Sequence, residues 1–222
     1  FFYDVVKKET SPCIKLPSSF DGFLGVCGGS IRHKIRSNQR RLSMSSQTAA
    51  LRRTADPREL DGDIDELVRL HQLRWEKRDM PGAFSDKKFL GFHRQVMREM
   101  LKNGHLELSF LSIEGRNIAV LYNIRYNGRI YFYQSGFDAS FRKDLSPGLL
   151  LHSLSIMDAI RSGLKEYDFL LSGETDDYKK SWTKDCRHMC AVYLARPGIT
   201  KLVMMARAKI KGLYASMNNR CR

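Results

Sequence analysis

The sequence predicts a single mixed sheet of the α/β (α+β) class, mostly antiparallel and flanked by helices. Three features carry that expectation. Strand-like runs at 106–113, 118–126 and 129–137 are separated by Glu114-Gly115-Arg116 and by Asn127-Gly128, the latter a strong hairpin signal. A helical pattern then opens at Ser146-Pro147-Gly148. A short apolar strand at 167–171 follows it, so residues 129–171 read as a right-handed strand–helix–strand crossover between parallel strands.

The remaining elements follow in chain order. Residues 2–6 read as a strand, followed by a Ser/Pro-rich loop through Pro17. Ser18 or Ser19 supplies a capping hydroxyl for a helix over 20–44, interrupted at Gly28-Gly29. Residues 49–54 form a strand, and Asp63 opens a second helix with Ile64, Leu67, Leu70, His71 and Arg74-Trp75 at helical spacing. A third helix follows Ser85, with Phe89, Phe92, Val96, Met100 and Leu101 as its apolar stripe, and Asn103-Gly104 stops it. Alternation along 129–137 puts Tyr131, Tyr133 and Phe137 on one face and Phe132 on the other. In the crossover helix Leu150, Leu154, Met157, Ile160 and Leu164 share one side. A helix at 174–184, a strand at 189–195 and a cationic amphipathic helix at 198–217 close the chain.

The chain has 222 residues and 42% hydrophobic content, enough to bury a core without disulfides. Five scattered cysteines are not a disulfide framework and fit reduced thiols. Cys186 and Cys190 lack a second ligand pair, so no metal is expected. No apolar run reaches the roughly 20 residues that span a bilayer. The net charge of +14 favours an anionic partner, and Arg32, Lys34, Arg36, Arg40, Arg41, Arg52 and Arg53 form a basic block free of acids.

The chemistry concentrates in residues 131–182. A strand ends at Phe137, a loop brings Arg142 and Lys143, and Ser146-Pro147-Gly148 starts a helix. Proline suits a first helical turn, glycine permits close approach to the backbone, and the free amides with the positive end of the helix dipole can hold a phosphate or pyrophosphate. An ordinary capped helix has the same local sequence. Further on, Tyr178 and Trp182 stand at i, i+4, a spacing that also suits simple packing. Asp168 is a candidate base or substrate anchor, or else a carboxylate that orients a backbone turn. Glu174 is a second such acid. His71, His93, His105 and His152 show no partner pattern and read as core or surface residues.

Taken in order, Ser135-Gly136-Phe137-Asp138, Ser146 to Leu150, Tyr167 to Leu170 with Gly173, and Tyr178-Lys179 with Trp182 resemble the GNAT acyltransferase superfamily. The likeness is to its CelD-like branch, associated with polysaccharide biosynthesis and related to the FemABX transferases. The basic segment from Ser19-Phe20 to Arg41-Leu42 and the pair Arg74-Trp75 extend the resemblance over about 18–195. It implies a GNAT-like twisted sheet and a donor site for the acyl-CoA pyrophosphate at Arg142, Lys143, Ser146, Pro147, Gly148 and Leu149, beside a splayed pair of strands. It also implies that Tyr178 protonates the leaving thiolate and that Lys179 stabilises developing charge. The usual fingerprint has two glycines and only Gly148 stands here, which leaves acyl-CoA, an acyl carrier or aminoacyl-tRNA open as donor.

The resulting expectation is a cytoplasmic acyltransferase that moves an acyl group, acetyl foremost, from acyl-CoA to an amine or hydroxyl. The acceptor would be a glycan or small molecule of exopolysaccharide or cell-envelope biosynthesis. Its domain would span 18–195, with 1–17 as a strand and linker from an upstream half and 196–222 as a basic amphipathic helix packed on it. Two other readings stand beside it. One is an aminoacyl-tRNA-dependent transferase with the basic block laid along RNA. The other is a non-catalytic basic module that binds nucleic acid, a membrane surface or a partner.

Overall fold

The computed structural model describes residues 2–45, 47–77, 79–171 and 177–195. Two compact units are distinguished, one of residues Pro12–Cys186 and one that includes residues 2–11 and 187–195. The strands are β1 Phe2–Lys15, β2 Ala49–Arg53, β3 Leu106–Ile113, β4 Arg116–Tyr126, β5 Arg129–Phe137, β6 Glu166–Asp168 and β7 Cys186–Ala195. The helices are α1 Phe20–Val26, α2 Gly29–Ser43, α3 Leu60–Glu76, α4 Lys87–Lys102, α5 Pro147–Arg161 and α6 Asp177–Lys180. Sheet order is β2-β3-β4-β5-β6-β1-β7. The β5–β6 pair is parallel, as the crossover reading requires, and the pairs β2–β3, β3–β4, β4–β5 and β1–β6 are antiparallel.

Central β4 explains its own composition. Ile118 to Asn123 are all buried because helices cover both faces of the sheet, so an unbroken apolar run replaces the usual alternation. Leu111, Ile113, Ala119 and Leu121 pack with α1, α2 and α5 residues on one face. Leu108, Phe110, Val120 and Tyr122 pack with α3 and α4 residues on the other.

Several boundaries differ from the sequence reading. Strand β1 runs on through Ser11-Pro12 to Lys15, because Cys13, Ile14 and Lys15 find partners in Asp168, Tyr167 and Glu166. Asp63 does not open α3, which begins at Leu60. Its carboxylate is buried and accepts hydrogen bonds from Arg52 Nη1 (2.8 Å) and Thr54 Oγ1 (2.5 Å), tying β2 to α3. The third helix follows Ser85 as expected, with Asp86 capping α4 through Lys88 N and Phe89 N. Ser19 caps α1 as expected, and the glycine interruption does divide α1 from α2. Strand β6 is only three residues long, and among the described residues α6 covers Asp177–Lys180. The C-terminal helix, Gly173 and Glu174 lie outside the described residues.

The face assignment along β5 needs correction. Pairing steps from Tyr122↔Gln134 to Asn123↔Phe132, which leaves Tyr133 as an extra, bulged residue. A bulge resets the alternation, so Tyr133 packs in the α3–α4 core while Phe137 joins Phe132 on the α5 side.

Candidate functional site

The site forms where β5 and β6 part. Their pairing covers Arg129↔Glu166 through Tyr131↔Asp168 and then stops, whereas β5 continues to Phe137. Two local features cause the parting. The Tyr133 bulge twists β5 just past the last pair. On the other strand, Asp168 Oδ1 accepts from Leu170 N at 2.8 Å, and Leu170 takes a φ of 54°, so the chain turns away from the sheet. Asp168 is buried and holds that turn, the structural role the sequence left open for it.

Helix α3 packs on the face of β5 beyond the parting. A Cβ at Gly136 would overlap the His71 backbone, so only glycine lets α3 lie this close to the strand. His71 Nδ1 meets Ser135 O at 3.1 Å and its Nε2 receives Ala83 N at 3.2 Å. Since Nε2 accepts, Nδ1 carries the proton, and burial lowers the His71 pKa in keeping with a neutral ring. One turn on, Arg74 Nη1 donates to Ser135 Oγ at 2.8 Å, and its guanidinium lies 5.3 Å from the Phe137 ring centroid. Gly148 also neighbours that ring: an added Cβ there would stand 3.1 Å from Phe137 Cδ1.

The start of α5 is held in place by α2. Asn38 Oδ1 accepts the Ser146 amide at 3.0 Å, and Arg41 donates to Asp144 O. Pro147 has no N–H, and Leu150 N closes the first turn on Ser146 O. Among the described residues no hydrogen bond engages the amides of Gly148 and Leu149, and Ser146 gives no side-chain cap. Pro147 and Leu149 are buried, and Ser146 and Lys143 are exposed. Arg142 is less available than its position suggests: it pairs with Asp144 at 2.6 Å and reaches Gln47 Oε1 at 3.1 Å. This helix start therefore presents two amides and the Lys143 ammonium, with Arg142 already bridged to a carboxylate.

Short α6 brings Lys179 and Tyr178 to the same region. Lys179 Nζ donates to Leu171 O at 2.7 Å and stands 5.5 Å from the Phe132 ring centroid. Tyr178 is 40% exposed, with its ring 6.1 Å from Trp182 and 6.0 Å from His152. His152, which the sequence reads as a core or surface residue, is buried. It lies in α5, off the stripe of Leu150, Leu154 and Met157, and the fold packs it among Phe132, Tyr167, Phe169, Tyr178 and Trp182. Its Nδ1 lies 2.9 Å from the Tyr167 hydroxyl. Burial, and then the charges of Arg74 and Lys179, push its pKa down to about 3. The structure thus gathers Arg74, His152, Tyr178 and Lys179 around the β5–β6 parting.

Part of the basic block serves the fold. Arg32 caps the α1 carbonyls of Gly25 and Cys27, Arg41 holds Asp144, Arg52 binds Asp63, and Arg53 pairs with Asp158. Lys34, Arg36 and Arg40 are exposed. Among the described residues no His, Cys, Asp and Glu cluster has metal-holding geometry, and no helix is long and apolar enough to cross a membrane.

Comparison with solved structures finds FemX at a TM-score of 0.64 and 12% identity, over 84% of this chain and 63% of that one. L-PGS from Bacillus licheniformis follows at 0.56 and 11%, over 95% of this chain and 67% of that one. At such identities the likeness is one of fold, and this chain spans about 63% of the length of FemX. A comparison with curated proteins found no match. The acetyltransferase (GNAT) domain family matches residues 29–180, which takes in the α5 start, the strand parting and both α6 residues. The chain belongs to the GNAT acetyltransferase domain family.

Proposed function

We propose that the chain transfers an acyl group, acetyl foremost, from acyl-CoA to an amine or hydroxyl acceptor. The observation that carries the reading is the end of β5–β6 pairing at Tyr131, which leaves the β6-side edge of β5 without a strand partner among the described residues, together with the open amides of Gly148 and Leu149. An exposed strand edge offers backbone donors and acceptors to an extended chain, and the amide-bearing pantetheine arm is such a chain. At its far end the helix start suits a diphosphate. Lys143 adds positive charge there, and Ser146, Pro147 and Leu149 form the turn that carries Gly148.

The reaction then runs beside α6. The acceptor nitrogen attacks the thioester carbonyl carbon and the carbonyl oxygen takes up negative charge. The C–S bond breaks as the oxygen re-forms the carbonyl. Tyr178 gives its proton to the departing thiolate and regains one from the nitrogen, so the products are an amide and a free thiol. Lys179, held over Phe132, supplies positive charge to the developing oxyanion. Asp168 acts indirectly by fixing the turn that opens the parting.

Within the family we favour the CelD-like branch and an acceptor from polysaccharide or envelope biosynthesis, on the order of motifs in 131–182. The contacts that Arg32, Arg41, Arg52 and Arg53 make inside the protein argue against a continuous RNA track. The test is thiol release from acetyl-CoA with a panel of amino sugars and amines. Turnover that falls about 100-fold in Lys179→Ala and about 10-fold in Tyr178→Phe supports the reading. Turnover with aminoacyl-tRNA alone, or with neither donor, would refute it.

A further inference from the structure

Four buried side chains form a hydrogen-bonded line that ends at His152, and its direction can be read. Asn123 Nδ2 donates to Ser155 Oγ at 3.3 Å. The Tyr167 phenol is fully buried beside Ser155, and burial raises its pKa, so it keeps its proton. Its hydroxyl lies 2.9 Å from His152 Nδ1, the acceptor to which that proton is given. Nδ1 therefore accepts, and the neutral imidazole carries its hydrogen on Nε2.

That N–H lies on the ring edge away from Tyr167, and no hydrogen bond among the described residues engages it. A second donor in the same cluster, the Trp182 indole, is also unmet: Trp182 is fully buried, its ring centroid is 5.6 Å from that of His152, and its Nε1 has no acceptor among the described residues. These two N–H groups beside Tyr178 and Lys179, the Trp182 one fully buried, suit a site completed by an oxygen from a bound molecule. A neutral imidazole is well fitted to this, since it donates a hydrogen bond without giving up its proton.

We propose that His152 is a catalytic residue whose Nε2–H donates to the carbonyl oxygen of the donor's thioester, with Tyr167 and Ser155 as positioning residues that fix its tautomer. The proposal rests on the acyltransferase reading above and adds a member to its machinery. No proton leaves His152 in the cycle. The carbonyl oxygen accepts a hydrogen bond that shortens as negative charge grows on it, and the charge returns to the carbonyl when the C–S bond breaks.

Nitrogen-15 NMR of the unliganded protein tests the tautomer without any substitution. The expected spectrum shows His152 neutral at pH 7, with Nε2 protonated and Nδ1 bare. A ring protonated at Nδ1 would overturn the assignment. In turnover, His152→Phe is expected to lower kcat about 100-fold while the acetyl-CoA dissociation constant, measured by calorimetry, stays within about threefold. His152→Gln keeps an N–H near the Nε2 position and should recover most of that loss. A folded His152→Phe protein that binds acetyl-CoA and turns over at the parent rate overturns the role of His152 alone. Failure of the parent protein to bind any CoA thioester would instead sink the acyltransferase reading, and this role with it.

Discussion

A methyl group added at Gly136 would overlap the His71 amide nitrogen and the Leu70 carbonyl carbon, and would stand 2.8 Å from His71 Cα. These are backbone atoms of a packed helix, and they cannot rotate aside. Gly136→Ala should therefore destabilise the protein by about 3 kcal/mol, the upper end of overpacking costs, in urea unfolding. It should also reduce turnover, because displacing α3 moves Arg74 away from Ser135. Unchanged stability would show that α3 does not rest on β5 in this way. Gly148 has a different environment: its neighbour is the Phe137 ring, 3.1 Å from an added Cβ, and a ring can shift slightly. Gly148→Ala should change stability by no more than about 1 kcal/mol, since better helix propensity offsets the tight contact. Sequence alone singled out Gly148, through its place after Ser146-Pro147. It offered nothing for Gly136, whose need for glycine comes from a helix 65 residues earlier in the chain.

At the scale of elements, the lengths and partners of strands decide what the sequence could reveal. The meander β3–β4–β5 was legible because turn residues mark both hairpins, and the positive φ values at Glu114, Gly115, Asn127 and Gly128 bear that out. The crossover through α5 was legible from Pro147-Gly148 and the apolar strand beyond. The full length of β1 was not, since its C-terminal part is extended by pairing with β6, about 150 residues later in the chain, at Cys13 to Lys15. Nor was the Tyr133 bulge, which depends on register with β4 and carries no residue signature of its own. Asp63 illustrates a signal with two meanings. Asp is a common helix opener, but here it lies within α3 and clamps β2. Asp63→Ala removes hydrogen bonds from Arg52 and Thr54 and should cost about 2 kcal/mol in urea unfolding. A loss below about 0.5 kcal/mol would mean that β2 is held by its ladder to β3 alone.

Across the whole molecule, buried histidines give stability a definite pH dependence. Burial lowers the pKa of His71, His93 and His152, the last to about 3. Their folded values lie below the usual 6.5. The stability this secures is present above that value and is lost as pH falls toward the folded values, because the unfolded chain binds the protons first. Each histidine contributes a slope of at most about 1.4 kcal/mol per pH unit. Glu107 acts in the opposite sense. Burial raises its pKa, so its contribution is complete below the usual 4.5 and is lost as pH rises through the folded value. The urea midpoint should therefore fall between pH 7 and pH 5, and His152→Gln should flatten that fall. Equal slopes in the two proteins would show that His152 is not held neutral by its surroundings.

The placement of the donor at the α5 start joins these scales, since it needs Gly148 at the residue level, the bulged and parted β5 at the element level, and the GNAT architecture as a whole. Calorimetric titration of coenzyme A into the parent protein and into Gly148→Glu tests it most directly. The parent should bind, and the added carboxylate should repel the diphosphate and weaken binding by at least about tenfold, or 1.4 kcal/mol, in a protein that remains folded. Equal dissociation constants for the two proteins would contradict the placement.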